Sequence, residues 1–299
     1  MGKAKRYKYF RPEQAQQLAS MQLVARTVVE GFVTGMHRSP HHGFSTEFSD
    51  HREYVPGDEL RHLDWMALAR TDRYYVKRYE QETNLRCYLL LDCSGSMAYA
   101  SGVLSKFEYG CYLAATLAYL MVRQQDSVGL VCFDDVIRLN IAPRSTPTHL
   151  TYLFGELETV RTGKRTDVSR TIHDIAERIH RRALIILISD MYDDPAEVRR
   201  ALQHFRHKKH EVIVFHVLDP FEVDFPFTRL ISFEDMETGE RLQIDPKQVR
   251  DAYLTEIGAF MENFRRTCSE SQIEYVVADT RTPFERMLIR YLSRRKLLY

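Results

Sequence analysis

Cysteine is scarce in this sequence, no C-x-x-C pair occurs, and no apolar run is long. The five cysteines, Cys87, Cys93, Cys111, Cys132 and Cys268, are odd in number, which argues against zinc ligation and against a dense disulfide framework. Three fall in apolar strand-like or helix-like stretches, where a free Cys acts as a small buried hydrophobe. The longest nearly apolar run, Tyr112–Val122, is about half of what a membrane span needs. No apolar segment follows the basic N-terminus, so no secretory signal is visible. A soluble, cytoplasmic protein is expected. A Walker A loop is missing, which excludes a P-loop ATPase, and no G-x-S-x-G elbow presents a hydrolase nucleophile. Internal repeats and low-complexity tracts are also missing.

What is present is an ordinary globular composition: 299 residues, 44% apolar and 28% charged. That length suits one large domain, or one domain with an appendage. With 42 Lys and Arg against 41 Asp and Glu, the formal charge is +1, which argues against a simple coat for nucleic acid or anionic membrane. The charge is unevenly spread. Residues 1–11 carry +5, residues 281–299 carry +5, and the body between them carries −9.

From about residue 87 a βα rhythm sets in. Cys87–Leu91 reads as a strand ending at Asp92, and Leu104–Gln124 as a long helix with Leu113, Leu117, Leu120 and Met121 at helical spacing. Ser127–Phe133 and Val136–Ile141 read as strands joined at Asp134-Asp135, Thr148–Val160 and Val168–His180 as helices. Ala183–Ser189 and Val212–Leu218 are apolar without alternation, as strands buried on both faces are. Pro195 opens a helix from a favoured first-turn position. A β-hairpin insertion covers about 228–244, turning near Glu237-Thr238-Gly239. Pro246–Cys268 is predicted as a helix, Ile273–Ala278 as the last strand and Pro283–Arg295 as a terminal helix. The pattern predicts a doubly wound, mostly parallel α/β domain over 87–299. Residues 1–86, with a helix expected over Glu13–Val33, read as an appendage packed on it.

The sharpest motif is Asp92-Cys93-Ser94-Gly95-Ser96-Met97, directly after the first apolar strand. Ligands of open α/β sheets bind at carboxyl ends of strands. This turn presents one carboxylate and two hydroxyls there. Thr166 lies in the polar loop before the Val168 helix, and Asp190 follows the strand ALIILIS. Hard oxygen donors of this kind suit Mg²⁺ first, then Mn²⁺ or Ca²⁺. One or two negative charges leave such an ion under-neutralised and able to attract a carboxylate from outside. Helix capping by Ser and Asp is the plainer reading of the same residues.

The set Asp92-x-Ser94-x-Ser96, Thr166 and Asp190 resembles the metal-ion-dependent adhesion site of von Willebrand factor A domains. The resemblance implies direct contact of an ion with the Ser and Thr hydroxyls and largely water-mediated contact with the aspartates. A second motif runs Arg52-x-Tyr54-x-x-Gly57-Asp58-x-x-Arg61-x-x-Asp64-Trp65, then Ala69-Arg70. Together the two resemble a bacterial family known as domain of unknown function 58, in its branch without membrane spans. That family implies a partner class, MoxR-type AAA+ ATPases, and a chaperone-like part in maturing or regulating other proteins.

Several residues have two readings. The Arg and Asp of the second motif either clamp the appendage through internal salt bridges, with Trp65 buried between them, or offer Arg61 and Arg70 to a partner. His37, His41 and His42 read as a solvated loop rather than a metal site, and Arg199–His210 as a solvated helix face. The leading functional expectation is a non-enzymatic, metal-dependent adaptor that captures a partner's acidic residue. The alternative is a Mg²⁺-dependent phosphohydrolase using the same oxygen cluster, with Asp167 or Asp193 as base. Against it, no Lys or Arg belongs to the cluster to neutralise a phosphoryl group, although Lys164 and Arg165 are near in sequence. RNA binding through the basic ends lacks an aromatic stacking signature. Of the two ends, the terminal helix is the better docking surface.

Overall fold

Two charged segments pair with each other before the βα rhythm begins. β1 (Glu47–Glu53) lies antiparallel to β2 (Tyr75–Glu80), with α1 (Trp65–Thr71) between them in sequence. Asp64 is buried and caps α1, its Oδ1 accepting the Ala67 N–H at 3.1 Å. Trp65 is 62% exposed, which corrects the expectation of a Trp buried among the motif's charges. The structure is a computed structural model that describes residues 47–54, 64–71, 73–80, 85–163, 168–235 and 239–296. The segment Glu13–Val33, the histidines 37, 41 and 42, Arg61, Lys164, Arg165, Thr166 and Asp167 lie outside them. The chain divides at Leu85 between this small unit and the α/β unit.

The α/β unit begins with β3 (Arg86–Asp92), a single 3-10 turn at Ser96–Ala98, and α2 (Lys106–Arg123). There follow β4 (Ser127–Phe133), β5 (Ile137–Arg144), α3 (Pro147–Thr159), α4 (Val168–Arg178), β6 (Leu184–Ser189), α5 (Pro195–His207) and β7 (Glu211–Leu218). A short helix, α6 (Pro220–Asp224), precedes the hairpin β8 (Ile231–Glu234) and β9 (Arg241–Ile244); α7 (Pro246–Glu270), β10 (Glu274–Asp279) and α8 (Phe284–Lys296) complete it. Gly239, at the end of the hairpin turn, has φ +73°, a value that favours glycine.

The six strands order as β10-β7-β6-β3-β4-β5, all parallel except the edge strand β5. Strands β6 and β7 are buried along their whole length, which is why their apolar residues do not alternate. Helices α2, α3 and α8 pack on one face through Leu113, Leu153 and Leu288. On the other face α4, α5 and α7 pack through Ile172, Phe205 and Phe264. Each fully buried Leu or Phe stabilises by about 1.5–3 kcal/mol. This is the doubly wound, mostly parallel fold that the apolar runs predict. From the central β3 the chain winds outward through β4 and β5, then crosses to β6, β7 and β10 on the other side. The direction of winding therefore changes beside β3, and its carboxyl end together with that of β6 forms the switch point where such sheets bind ligands.

Candidate site at the carboxyl edge of the sheet

Every parallel strand ends on, or one residue before, an aspartate: Asp92, Asp134, Asp190, Asp219 and Asp279. In each case a side-chain oxygen accepts the backbone N–H two residues on, from Ser94 (2.8 Å), Val136 (3.1 Å), Tyr192 (3.3 Å), Phe221 (2.9 Å) and Arg281 (2.8 Å). These are Asx turns, the local geometry that Asp imposes where a strand turns into a loop. Asp190 is thus a turn residue, and Asp92 makes the same turn without capping a helix, the 3-10 turn that follows it having no side-chain cap.

The five differ in what else they meet. Arg138 forks onto Asp134 at 2.9 and 2.8 Å, and Arg281 does the same to Asp279 at 3.2 and 3.0 Å. Asp219 accepts the Ser101 N–H at 2.9 Å. Asp92 is fully buried and meets no base among the described residues. Its Oδ2 accepts the Ser189 hydroxyl at 2.6 Å, and that hydroxyl accepts the Met191 N–H at 2.9 Å. Met191 takes up a left-handed φ of 58° in this turn, a conformation rare outside glycine. Burial, and then the Asp190 charge, push the Asp92 carboxyl up to about 7. The Ser94 and Ser96 hydroxyls stand beside it, 3.1 Å from each other. Cys93, between Asp92 and Ser94, turns inward, its Sγ donating to the Phe133 carbonyl at 3.0 Å.

Asp190 has a partner that sequence reasoning missed. Lys106, the first residue of α2, is fully buried and gives its Nζ to Asp190 Oδ2 at 2.8 Å and to Glu222 Oε1 at 2.6 Å. The Tyr192 ring lies over that ammonium, 4.8 Å from Nζ to the centroid. Burial by itself would lower Lys106, but Asp190 and Glu222 outweigh it and hold the ammonium above its ordinary value. Burial raises Glu222 in turn, against the pull of Lys106. Both anchors of the lysine are capped: Ser105 and Glu108 form a reciprocal box at the start of α2, and Asp219 and Glu222 form one on α6. Glu222 thus uses Oε2 for the Asp219 N–H at 2.8 Å and Oε1 for Lys106. The expectation that no basic residue belongs to the cluster is corrected by Lys106.

His216 backs the turn from the neighbouring strand. Its Nε2 is 2.9 Å from the Asp190 carbonyl, and its Nδ1 is 2.5 Å from the Tyr275 hydroxyl. Burial brings the imidazole down to about 4. The ring is therefore neutral, and the Asp190 carbonyl, which can only accept, fixes Nε2 as the protonated nitrogen. Asp193, considered as a base, accepts the Ser169 N–H and hydroxyl at 2.9 and 2.8 Å and belongs to the start of α4. The Arg199–His210 run is not a solvated face. His204 lies between His173 (2.9 Å) and Glu177 (3.0 Å), Arg206 holds the Ser271 and His210 carbonyls, and His210 is fully buried.

The structure thus brings Asp92, Ser94, Ser96 and Asp190 to one edge. Among the described residues no three His, Cys, Asp or Glu side chains form a metal-binding group; the set is two carboxylates and two hydroxyls. Its donor type fits a hard divalent cation. Even with Lys106 on Asp190, the Asp190 charge raises the buried Asp92, an arrangement that such a cation would ease.

The uncharacterized protein Mb1516 of Mycobacterium bovis is 25% identical over 261 residues, covering 86% of this chain and 81% of its own length. Of solved structures, the conserved hypothetical protein BatB of Bacteroides thetaiotaomicron aligns with a TM-score of 0.48 at 15% identity, over 72% of this chain and 100% of that one. The SpRpn10 VWA domain aligns with a TM-score of 0.32 at 13% identity, over 45% of this chain and 76% of that one. The pattern of the family described as "Protein of unknown function DUF58" matches residues 50–260, from the Arg52–Arg70 motif through the strand-edge site. With more than half of its length matched, the chain is a member of the DUF58 family.

Proposed function

We propose that the α/β unit is a metal-dependent protein-binding adaptor whose ion is held by Asp92, Ser94, Ser96, Thr166 and Asp190. The carrying observation is Asp92: a buried carboxylate facing a second carboxylate, with two hydroxyls beside it and no base among the described residues. A bound Mg²⁺, or Mn²⁺ or Ca²⁺ in its place, supplies an electrophilic position for a partner's Asp or Glu. The chain's own residues do the positioning. Asx turns aim Asp92 and Asp190 at the edge, Ser189 orients Asp92, and Lys106 offsets part of the local negative charge.

Among the described residues no side-chain nucleophile is activated in this arrangement. The Ser94 and Ser96 hydroxyls bond each other, and both nitrogens of His216 are committed elsewhere. The hydrolase reading gains nothing from Lys106, whose ammonium is enclosed by Asp190 and Glu222. The family resemblance supports a MoxR-type AAA+ ATPase as partner, in chaperone-like maturation or regulation. Five buried free thiols support action in the reducing cytoplasm. No described helix is long and apolar enough to cross a membrane.

The test is an affinity pull-down in Mg²⁺ and in EDTA, with wild type and Asp92→Ala. Partner capture in Mg²⁺ alone, lost in Asp92→Ala of unchanged fold, is the expected result. Equal capture in EDTA, or by the variant, overturns the reading.

A further inference from the structure

Lys106 is an unusual residue to find at a cation site. It is fully buried, carries its own positive charge, and touches the Asp190 carboxylate at 2.8 Å. It also has a second acceptor, Glu222 at 2.6 Å, on a different element of the fold. Two carboxylates, Asp190 and Glu222, thus hold one built-in cation, and the Asp190 carboxylate is also the one whose charge acts on Asp92. We propose that Lys106 is a tethered competitor of the divalent ion: it occupies Asp190 in the ion-free protein and shifts its bonding toward Glu222 when the ion takes a share of Asp190. The inference rests on the metal reading of the site and adds regulation to it. Glu222 also closes the cap of α6, and Ser101 is tied to Asp219 at the head of the same helix. Ion binding is therefore felt at α6 and at the 99–105 loop, the two segments flanking the edge where a partner docks.

The proposal makes two variants move in opposite directions. Lys106→Met removes the competing charge and frees Asp190, so Mn²⁺ binding read by electron paramagnetic resonance tightens by about tenfold or more. Glu222→Gln removes the charge that draws Lys106 away from Asp190, so Mn²⁺ binding weakens several-fold. Damage to the site alone would weaken both. Wild type that binds Mn²⁺, with Lys106→Met equal to it or weaker, overturns the competitor role and leaves the metal site standing. Should Lys106→Met fail to fold by circular dichroism, Glu222→Gln decides: unchanged or tighter Mn²⁺ binding overturns the role. Absence of Mn²⁺ binding in all three proteins overturns the metal site and the competitor role together.

Discussion

The middle and the flank of one sheet edge treat the same residue differently. At the flank, Asp279 ends β10 in an Asx turn and meets Arg281, whose side chain is 48% exposed. In the middle, Asp190 follows β6 in the same kind of turn and meets Lys106, whose side chain is 0% exposed. The neighbouring Asp92 meets Asp190 and no base among the described residues. The turn is thus a property of strand ends in general. What singles out the switch point is a buried carboxylate raised by a second one, with two hydroxyls beside it, the kind of perturbed group that clusters at functional sites.

The largest expected effect breaks this contrast at its buried end. Lys106→Met leaves Asp190 and Glu222 without their cation and should cost about 3–5 kcal/mol in urea unfolding of the ion-free protein. Gly163→Ala comes next. The Gly163 N–H bonds the Cys93 carbonyl at 2.6 Å, and an added Cβ would come within 2.0 Å of Asp134 Oδ2. Forcing Asp134 aside should cost about 1–3 kcal/mol, read from the same unfolding curves.

A smaller effect comes from the opposite edge of the sheet. His210 accepts the Ala183 N–H at 3.1 Å, and burial lowers its pKa. A base whose folded pKa is depressed stabilises above its unfolded value and loses that contribution as pH falls. The His210 contribution to the urea midpoint should therefore be lost as pH falls below about 6.5, so that the midpoint of wild type declines relative to that of His210→Asn over that range. The smallest effect is at the flank: Arg281→Met should change stability by under about 1 kcal/mol. A flank loss as large as that of Lys106→Met would erase the distinction between the two regions.

Most of the frame is legible in the sequence. Uninterrupted apolar runs such as ALIILIS mark strands buried on both faces, and Pro195 and Pro246 sit at helix starts as their fixed φ requires. Asp92, Ser94, Ser96 and Asp190 were legible because they follow apolar strands directly. Lys106 was not. A Lys at the head of a helix reads as a solvated first-turn residue. Its burial arises only when Asp190, 84 positions away, and Glu222, 116 positions away, meet over it. Helix α6 was missed because five residues carry no helical period. Trp65 misled in the other direction, since a lone Trp in a charged motif suggests an anchor and this one stands 62% exposed.

The central claim is that Asp92 differs in kind from the other strand-end aspartates. Calorimetric titration of Mg²⁺ into wild type, Asp92→Asn and Asp279→Asn tests it most directly. The account predicts saturable binding by wild type and by Asp279→Asn, with none by Asp92→Asn. Binding retained in Asp92→Asn, or lost equally in both variants, would contradict it.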